Sequence, residues 1–260
     1  MADLPAGRFD AVDMAETLDG CPQVIGGELR PDTVLAAYQH GFFPLPTDSA
    51  EDARHNAEMY ADGLDDGQIP VMETSSPWGP WALTWWNPAE RPVLDAAGVR
   101  LSRTTKQFLR NRCGWTTTAD QAFDEVVAAC GEERASRWIT AELAATLKQL
   151  HRDGWAHSVE VWEDGTLIAG IFGVAVGTVF SADSTFHRRD GAGKVAFADL
   201  GDRLSGSPCD LIDLQWPQQY LPSLGARWLD RAGFAAHLAD VHRRVALPGD
   251  QRPARRLGFQ

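Results

Sequence analysis

The spacing of apolar residues changes after Gly154, from a period of three to four residues, typical of helices, to a period of two, typical of strands. Side chains over 157–162 alternate as a strand with two different faces requires. Residues 163–165, Glu-Asp-Gly, suit a tight turn, and the apolar run 167–176 follows them. The pattern predicts a β-hairpin, which commits the second half of the chain to a sheet.

Three further segments extend this sheet. The sequence predicts a third strand at 179–184, a helix at 192–204 and a fourth strand at 210–215. A helix between two strands usually carries the chain to a parallel neighbour, so we expect a mixed sheet. The resulting α+β arrangement resembles the acetyltransferase-like (GNAT) fold, in which the strands on either side of the crossover helix splay apart at a cleft. The resemblance implies that Asp183 and Asp213 lie on those two strands.

The region before the hairpin is mostly helical in pattern. Helices are predicted at 31–40, from Leu101 onward, at 119–130 and at 141–151, the last with Thr140 as its N-cap. The stretch 47–80 is acidic and contains Gly and Pro, so it is interpreted as an inserted excursion rather than core. A last short strand is expected within 225–234. We therefore expect a small N-terminal α/β domain over 1–95, with the insert at about 47–80, and a GNAT-like catalytic domain over 96–260.

The composition limits the class of protein. Hydrophobic residues make up 44% of the 260 residues, which is enough for a globular core. No run approaches the roughly 20 apolar residues of a membrane span, and the first 30 residues lack the pattern of a signal peptide, so we expect a cytoplasmic protein. The four cysteines lack C-x-x-C spacing, which predicts neither a zinc site nor a disulfide framework.

Charge is distributed unevenly along the chain. The net charge of -12 argues against a nucleic-acid partner, because phosphate binding needs Lys and Arg to displace counterions. Basic residues nevertheless form a run without an acid over 100–112 and recur near the C-terminal end, whereas much of the acid lies over 51–66. A basic run is more often a solvated surface, so charge alone predicts no tRNA or DNA partner.

A carboxylate and an amide lie together near the end of the fourth predicted strand. Alternation puts Asp213 and Gln215 on one face, with Ile212 and Leu214 on the other. Such a pair can orient a nucleophile and relay its proton. The alternative is that both side chains face water or tie down a loop.

The segment 188–193 reads Arg-Arg-Asp-Gly-Ala-Gly and fits an R-x-x-G-x-G loop before a helix. Backbone N–H groups at such a loop can hold a pyrophosphate, and glycines allow its close approach. Many acyl-CoA-dependent acetyltransferases carry this loop. The pattern therefore favours anion binding and leaves coenzyme A as one candidate ligand.

A longer set of motifs is much more specific. It comprises Tyr38-Gln39-His40-Gly41-Phe42-Phe43-Pro44, Trp85-Trp86-Asn87-Pro88, Arg91, Trp138-Ile139-Thr140, Leu150-His151, Gly154, Ala156-His157-Ser158-Val159-Glu160-Val161-Trp162, Gly173-Val174-Ala175, Asp213-Leu214-Gln215 and Ser223-Leu224-Gly225-Ala226. In these motifs the chain resembles the leucyl/phenylalanyl-tRNA-protein transferases. The resemblance runs from about Gly26 to about Phe234 and is interrupted by the insert at 47–80.

The resemblance implies a tRNA-dependent aminoacyl transferase that needs no metal and no nucleotide cofactor. Family members move Leu, Phe or Met from a charged tRNA to the N-terminal Arg or Lys of a protein, which marks that protein for degradation. The α-amino group attacks the ester at the tRNA 3′ end, and its ordinary pKa of about 7.7 to 8.0 makes deprotonation easy near neutral pH. The implied catalytic residues are Asp213, Gln215 and Asp183, the last standing where the family has Glu.

Further substrate roles also follow from the resemblance. Trp138 matches a tryptophan that stacks on the terminal adenosine, as aromatic side chains do with unpaired RNA ends. The positions implied to line the amino-acid pocket are Ile171, Phe180, Thr185, Phe197 and Ile212. The positions expected to contact tRNA phosphates are Arg188, Lys194, Arg103, Lys106 and Arg110.

Departures from the family leave other functions open. Ile171 and Thr185 stand where the family has methionines, and Leu45 and Tyr220 also differ, so one alternative is another amino acid or a small-molecule amine acceptor. A second is an acyl-CoA-dependent N-acyltransferase, and a third is a non-catalytic tRNA- or peptide-binding module. His157 is expected to have a structural rather than a catalytic role.

Overall fold

The computed structural model describes residues 3–4, 9–12, 19–65, 67–132, 138–216, 224–240, 242 and 244–260. The chain divides into two units, Met1–Ala89 with Arg134–Gln149 and Glu90–Glu133 with Leu150–Gln260. This division differs in two places from the expected boundary after residue 95. The strand at 90–95 pairs within the second sheet, and the segment 134–149 joins the first unit. Within the described ranges, no helix is long and apolar enough to cross a membrane.

The first unit is built on a five-stranded sheet. Its strands are β1 (Asp3–Leu4), β2 (Val24–Gly26), β3 (Phe43–Pro46), β4 (Val71–Met72) and β5 (Leu83–Trp86), in the order β1-β4-β2-β5-β3. Helices α1 (Pro31–Gln39) and α2 (Ala50–Asp65) connect strands of this sheet. Helix α1 begins at Pro31, whose fixed φ suits the first helical position, and the chain leaves it through Gly41 at φ 82°. The helix predicted at 31–40 is confirmed.

Part of the acidic stretch 47–80 belongs to the core of this unit, so its interpretation as an excursion is wrong. Strand β4 pairs in parallel with both β1 and β2. Ile69 and Met72 are each 1% exposed, and Ala53 of α2 shares an apolar cluster with Ile69. A few apolar residues suffice to fill one helix face and a short strand. The prediction missed them because it was based on the average composition of the stretch, which is acidic.

The second unit contains an eight-stranded sheet. Its strands are β6 (Glu90–Asp95), β7 (Thr116–Ala119), β8 (Ala156–Glu163), β9 (Thr166–Val176), β10 (Val179–His187), β11 (Leu211–Asp213), β12 (Arg227–Asp230) and β13 (Arg252–Pro253), in the order β12-β6-β11-β10-β9-β8-β7-β13. Helices α3 (Arg103–Arg112), α4 (Phe123–Glu132), α6 (Ala192–Leu204) and α7 (Arg231–Ala236) belong to this unit, and α5 (Ala141–Arg152) has residues in both.

Strands β8 and β9 form the predicted hairpin. They pair antiparallel and are joined at Asp164 and Gly165, whose φ values of 50° and 78° are those of a two-residue hairpin turn. On the other side of β9, a Cβ added to Gly173 would lie 1.9 Å from the carbonyl oxygen of Ser181 on β10. A glycine is therefore required where β9 and β10 approach this closely.

Strand β10, helix α6 and strand β11 form the predicted parallel crossover. Strands β10 and β11 pair in parallel, with Ser181 opposite Asp213 and Phe180 opposite Ile212. Helix α6 spans the residues predicted for it and packs against β8, β9 and β10. The expected α+β fold with a mixed sheet and a parallel crossover is confirmed. The crossover places strand β10, which carries Asp183, beside strand β11, which carries Asp213.

Two segments of this unit differ from the prediction. The helix expected at 119–130 begins at Phe123, and the residues before it form β7, which pairs with β8. Three consecutive threonines favour an extended strand, and this pairing outweighs the helical propensity of Ala119. Strand β11 ends at Asp213, so Gln215 lies beyond it rather than within it. Tyr220 and Ser223 lie outside the described residues.

Candidate active site

Four buried polar side chains meet where β10 and β11 lie side by side. Asp213 ends β11 and Gln215 follows it, while β10 supplies Ser181 and Asp183. Gln215 Nε2 donates to Ser181 Oγ at 3.1 Å and to Asp183 Oδ1 at 2.7 Å. Ser181 Oγ in turn donates to Asp213 Oδ2 at 3.1 Å. The structure thus brings together the three residues predicted as catalytic, with Ser181 connecting two of them.

Asp213 also forms an ion pair with a buried arginine of β6. Arg91 Nη1 lies 2.7 Å from Asp213 Oδ2, and the two side chains are 2% and 0% exposed. The guanidinium carbon lies 4.2 Å from the centroid of the Phe234 ring, which belongs to α7. Removing either charge would leave the other uncompensated in the interior, so the pair holds Asp213 in one position.

The backbone turns sharply at Gln215. Its φ of 58° is unusual for a residue other than glycine, and Trp216 N donates to Leu214 O at 2.6 Å across it. Asp213 Oδ1 accepts the Gln215 N–H at 2.9 Å and stabilises this turn. Backbone strain of this kind, worth about 1–3 kcal/mol, is concentrated at functional sites.

Asp183 lies in a β-bulge of β10. Ala182 is opposite Gly173 and Ser184 is opposite Phe172, so β10 has one extra residue between these two pairs. A bulge redirects a side chain relative to the regular alternation and is common beside active sites. Here the redirected carboxylate accepts a hydrogen from the Gln215 amide.

The residues predicted to line an amino-acid pocket gather beside α6. Ile171, Phe180, Phe197 and Ile212 belong to one buried apolar cluster of the second unit. Thr185 is opposite Ile171 on the neighbouring strand, is half-buried, and donates its hydroxyl to a backbone carbonyl of β9 at 3.0 Å. The four apolar positions are therefore closed core positions, at most 4% exposed, and Thr185 lies at their margin. Phe180 and Ile212 lie on the sheet face opposite to Ser181 and Asp213.

Trp138 belongs to the first unit. Its side chain is half-buried, and its Nε1 atom is buried without an acceptor in the described part of the chain. A buried donor without an acceptor is uncommon in folded proteins.

Two residues after Trp138, Thr140 Oγ1 accepts the Leu143 N–H at 3.2 Å, which confirms the predicted N-cap of α5.

The R-x-x-G-x-G loop leads directly into α6. Gly191 adopts a φ of 81° immediately before the helix, and Lys194 is half-buried in its first turn. Arg188 is exposed; its guanidinium lies 5.4 Å from the Phe186 ring centroid and donates to Leu167 O at 3.3 Å. Two cations at the N-terminus of a 13-residue helix suit an anionic ligand.

The three basic residues of α3 have different surroundings. Lys106 Nζ donates to Gln260 O at 2.8 Å, and Arg110 Nη1 donates to Gly258 O at 3.1 Å. Arg103 is exposed at the start of the helix. Lys106 and Arg110 therefore hold the C-terminal segment against α3.

His157 is held by an acid, in line with the structural role expected for it. Its Nδ1 lies 2.8 Å from Asp120 Oδ2, and Asp120 Oδ1 accepts the Ser158 N–H at 2.9 Å.

On the same strand as His157, Glu160 is fully buried and accepts hydrogen bonds from the hydroxyls of Ser158 and Thr118 at 2.5 Å each. Burial raises the pKa of Glu160 above its ordinary value.

Two members of the site were not predicted as site residues: Arg91, which appeared only as one of the family motifs, and Ser181. A signal for Arg91 existed, because a charge followed by Pro-Val-Leu in an apolar strand requires a buried partner. Ser181 gave no such signal, since small polar residues occur in many strands.

Among the described residues, no group of three His, Cys, Asp or Glu side chains is placed to hold a metal ion.

Comparisons with known proteins point to one family. A family model described as leucyl/phenylalanyl-tRNA protein transferase matches residues 93–239. A leucyl/phenylalanyl-tRNA-protein transferase of Shewanella oneidensis is 35% identical over 229 residues, which cover 87% of this chain and 84% of the relative. One of Thiobacillus denitrificans is 36% identical over 247 residues, covering 94% of each. Among solved structures, FemX aligns with a TM-score of 0.44 and 10% identity over 56% of this chain and 60% of its own.

Proposed function

Because the chain belongs to the leucyl/phenylalanyl-tRNA-protein transferase family, we propose that it transfers Leu or Phe from an aminoacyl-tRNA to the N-terminal Arg or Lys of a protein. The observation that carries the proposed site is the buried network of Asp213, Gln215 and Asp183. These residues lie within the region that the family model matches. They are also polar groups that the parallel crossover brings together, where the end of β11 lies beside β10.

The reaction is an aminolysis of the ester that joins the amino acid to the tRNA. The acceptor's α-amino nitrogen bonds to the ester carbonyl carbon, the bond from that carbon to the ribose oxygen breaks, and the ribose oxygen leaves with a proton given up by the amine. With an ordinary pKa of about 7.7 to 8.0, part of the amine is neutral near pH 7, so the site mainly has to position its lone pair. Gln215 and Asp183 suit this task because amide and carboxylate oxygens accept N–H groups.

The donor tRNA and its amino acid have separate binding groups in this proposal. The family resemblance assigns the side chain of the transferred amino acid to Thr185, which is half-buried, and to the apolar cluster beside it, which contains Ile171, Phe180, Phe197 and Ile212. Trp138 stacks on the terminal adenosine. The tRNA phosphates are bound by Arg188 and Lys194 at the start of α6 and by Arg103 of α3. Lys106 and Arg110 of α3 are not included, because they donate to backbone carbonyls of the C-terminal segment.

An acyl-transfer assay tests the proposed function. The full chain is incubated with tRNA charged with radiolabelled Leu, Phe or Met and with peptides that begin with Arg, Lys or Ala. We expect label from Leu or Phe on the Arg and Lys peptides, and none on an N-acetylated Arg peptide, whose amine is blocked. Gln215→Ala is expected to lower kcat by about 100-fold or more, because the amine loses its positioning group.

The alternatives give different outcomes in the same assay. Transfer of an acetyl group from acetyl coenzyme A, with no transfer from charged tRNA, would replace the proposal with an acyl-CoA-dependent enzyme. Loss of label from charged tRNA to a small amine, with none on any peptide, would retain the chemistry and change the acceptor. Binding without any transfer would leave a non-catalytic tRNA- or peptide-binding module.

A further inference from the structure

The hydrogen bonds around Gln215 have a direction that follows from the chemistry of its partners. Asp213, paired with Arg91, is a carboxylate and can only accept, so Ser181 donates its single hydrogen to it. Ser181 Oγ can then only accept from the Gln215 side chain. Asp183 Oδ1 accepts a second hydrogen from the same amide. The atom of the amide that faces both partners must therefore be Nε2.

We infer that Ser181 is a positioning residue that sets the orientation of the Gln215 amide and so presents Oε1 to the acceptor's α-amino group. The inference rests on the proposed aminolysis. With both Nε2 hydrogens committed to Ser181 and Asp183, Oε1 is the side-chain atom of Gln215 that can accept from a ligand. A flipped amide would present two hydrogens to an amine, whose own N–H groups need an acceptor.

Arg91 and Asp213 extend this series of contacts to four residues, Arg91, Asp213, Ser181 and Gln215, which we call the relay. The guanidinium fixes the carboxylate, the carboxylate fixes the Ser181 hydroxyl, and the hydroxyl fixes the amide. Asp213 has both oxygens engaged, Oδ2 by Arg91 and Ser181 and Oδ1 by the backbone N–H of Gln215. Because both oxygens already accept hydrogen bonds within the fold, the role of Asp213 is to position Gln215 rather than to take the amine's proton.

Three serine variants test the relay. Ser181→Ala is expected to lower kcat for transfer to an Arg peptide by about 10- to 100-fold, because the amide loses one of its two orienting partners. The KM for charged tRNA is expected to stay within about 2-fold. Ser181→Thr retains the hydroxyl and is expected to recover most of the lost rate. The matched control is Ser184→Ala on the same strand: this serine is also buried, and its hydroxyl has no hydrogen-bond partner in the described part of the chain.

A double-mutant cycle separates action through Gln215 from an independent effect. Gln215→Met removes the amide while keeping a side chain of similar length. If Ser181 acts through Gln215, adding Ser181→Ala to Gln215→Met causes no further loss of kcat. Multiplicative losses in the double variant would overturn the inference, and so would an unchanged kcat in Ser181→Ala alone.

The side-chain amide signal of Gln215 tests the relay without any activity measurement. In the ¹⁵N-labelled full chain, this signal is the one that disappears in Gln215→Met. We expect Ser181→Ala to shift it and to speed exchange of its hydrogens with water, whereas Ser184→Ala leaves it unchanged. A shifted signal in an enzyme that transfers nothing would refute the proposed function and retain the relay. An unshifted signal would refute the relay whatever the activity.

Discussion

The two units of the chain use charge in different ways. The first has 16 Asp and Glu against 6 Lys and Arg, a net charge of -10, whereas the second has 20 against 18, a net charge of -2. In the second unit, opposite charges are paired inside the fold, as in Arg91 with Asp213 and Arg203 with Asp199 at 2.6 Å. All four of these side chains are almost fully buried.

In the first unit, the charges lie mainly on the surface. Helix α2 has exposed acids along its length, and the Arg30–Asp32 pair is 71% and 73% exposed. Exposed charges contribute little to stability but act at a distance on charged ligands. In the second unit, charge builds the candidate active site, whereas we expect the exposed acids of the first unit to repel a polyanion such as tRNA.

The largest effect expected from this contrast is on the Arg91–Asp213 pair. Arg91→Ala leaves Asp213 buried without its cation and is expected to lower the free energy of unfolding by about 3–5 kcal/mol. Arg30→Ala removes one partner of an exposed pair and is expected to change it by less than about 1 kcal/mol. Urea denaturation of both variants measures the difference, and equal losses would abolish the distinction between the two units.

A double replacement separates the structural role of this pair from its role in the site. Replacing Arg91→Met and Asp213→Leu together removes both charges and keeps apolar volume in the interior. We expect this variant to regain most of the stability lost in Arg91→Ala, because no uncompensated charge remains. We also expect no aminoacyl transfer, because Gln215 loses the carboxylate that stabilises its turn. A transfer rate close to that of the wild type would contradict the positioning role of Asp213.

A smaller effect is expected at Glu160, a buried acid of the second unit that accepts hydrogen bonds from two hydroxyls and has no ion pair in the described part of the chain. Its pKa is raised by burial, so the folded state holds the proton more tightly than the unfolded state does. Its contribution to stability is therefore greatest at acid pH and declines as the pH rises above the ordinary value of 4.5. The free energy of unfolding of the neutral variant Glu160→Gln is expected to exceed that of the wild type at pH 8, and this advantage should vanish at pH values well below 4.5.

Glu163 lies on the same strand, and its pKa is lowered rather than raised. The hydrogen bond from Trp115 is the main cause that lowers the pKa of Glu163, and the side chain also pairs with Arg189. Glu163→Gln is therefore expected to be less stable than the wild type at pH 4.5 and above, and this deficit should shrink as the pH falls below 4.5. Melting temperatures from about pH 2 to pH 8 compare the two variants. The same pH dependence in both would show that burial does not govern the ionisation of Glu160.

The smallest effect is expected from the exposed acids of α2, and it concerns the KM for charged tRNA rather than stability. Replacing its exposed acids by Glu51→Gln, Glu58→Gln and Asp62→Asn is expected to lower the KM for charged tRNA by about 2- to 5-fold at low salt. The difference should vanish near 0.5 M salt, because screening removes long-range repulsion. The control keeps the charge with Glu51→Asp, Glu58→Asp and Asp62→Glu and should behave like the wild type. A lower KM that persists at high salt would mean that these residues contact tRNA directly.

Local pattern predicted much of the second unit because the signals came from near neighbours in sequence. The turn at 163–165 and the crossover helix 192–204 depend on residues within a few positions of one another, and both are confirmed. Strands β4 and β7 were missed because each is short and its pairing partner is remote in sequence. Pairing with β8 determines that Ala119 is extended, against its own helical propensity.

The sequence alone determined the α+β class, the hairpin, the crossover and the presence of a carboxylate and an amide near the end of one strand. It also identified the family, because motifs spread along the chain carry that information together. Only the tertiary structure decided that Arg91 pairs with Asp213, 122 residues away, and that Ser181 connects Asp213 to Gln215. These contacts depend on the order β6-β11-β10 in the sheet. The periodicity of a single strand does not encode its neighbours, so the direction of the relay is a property of the folded protein.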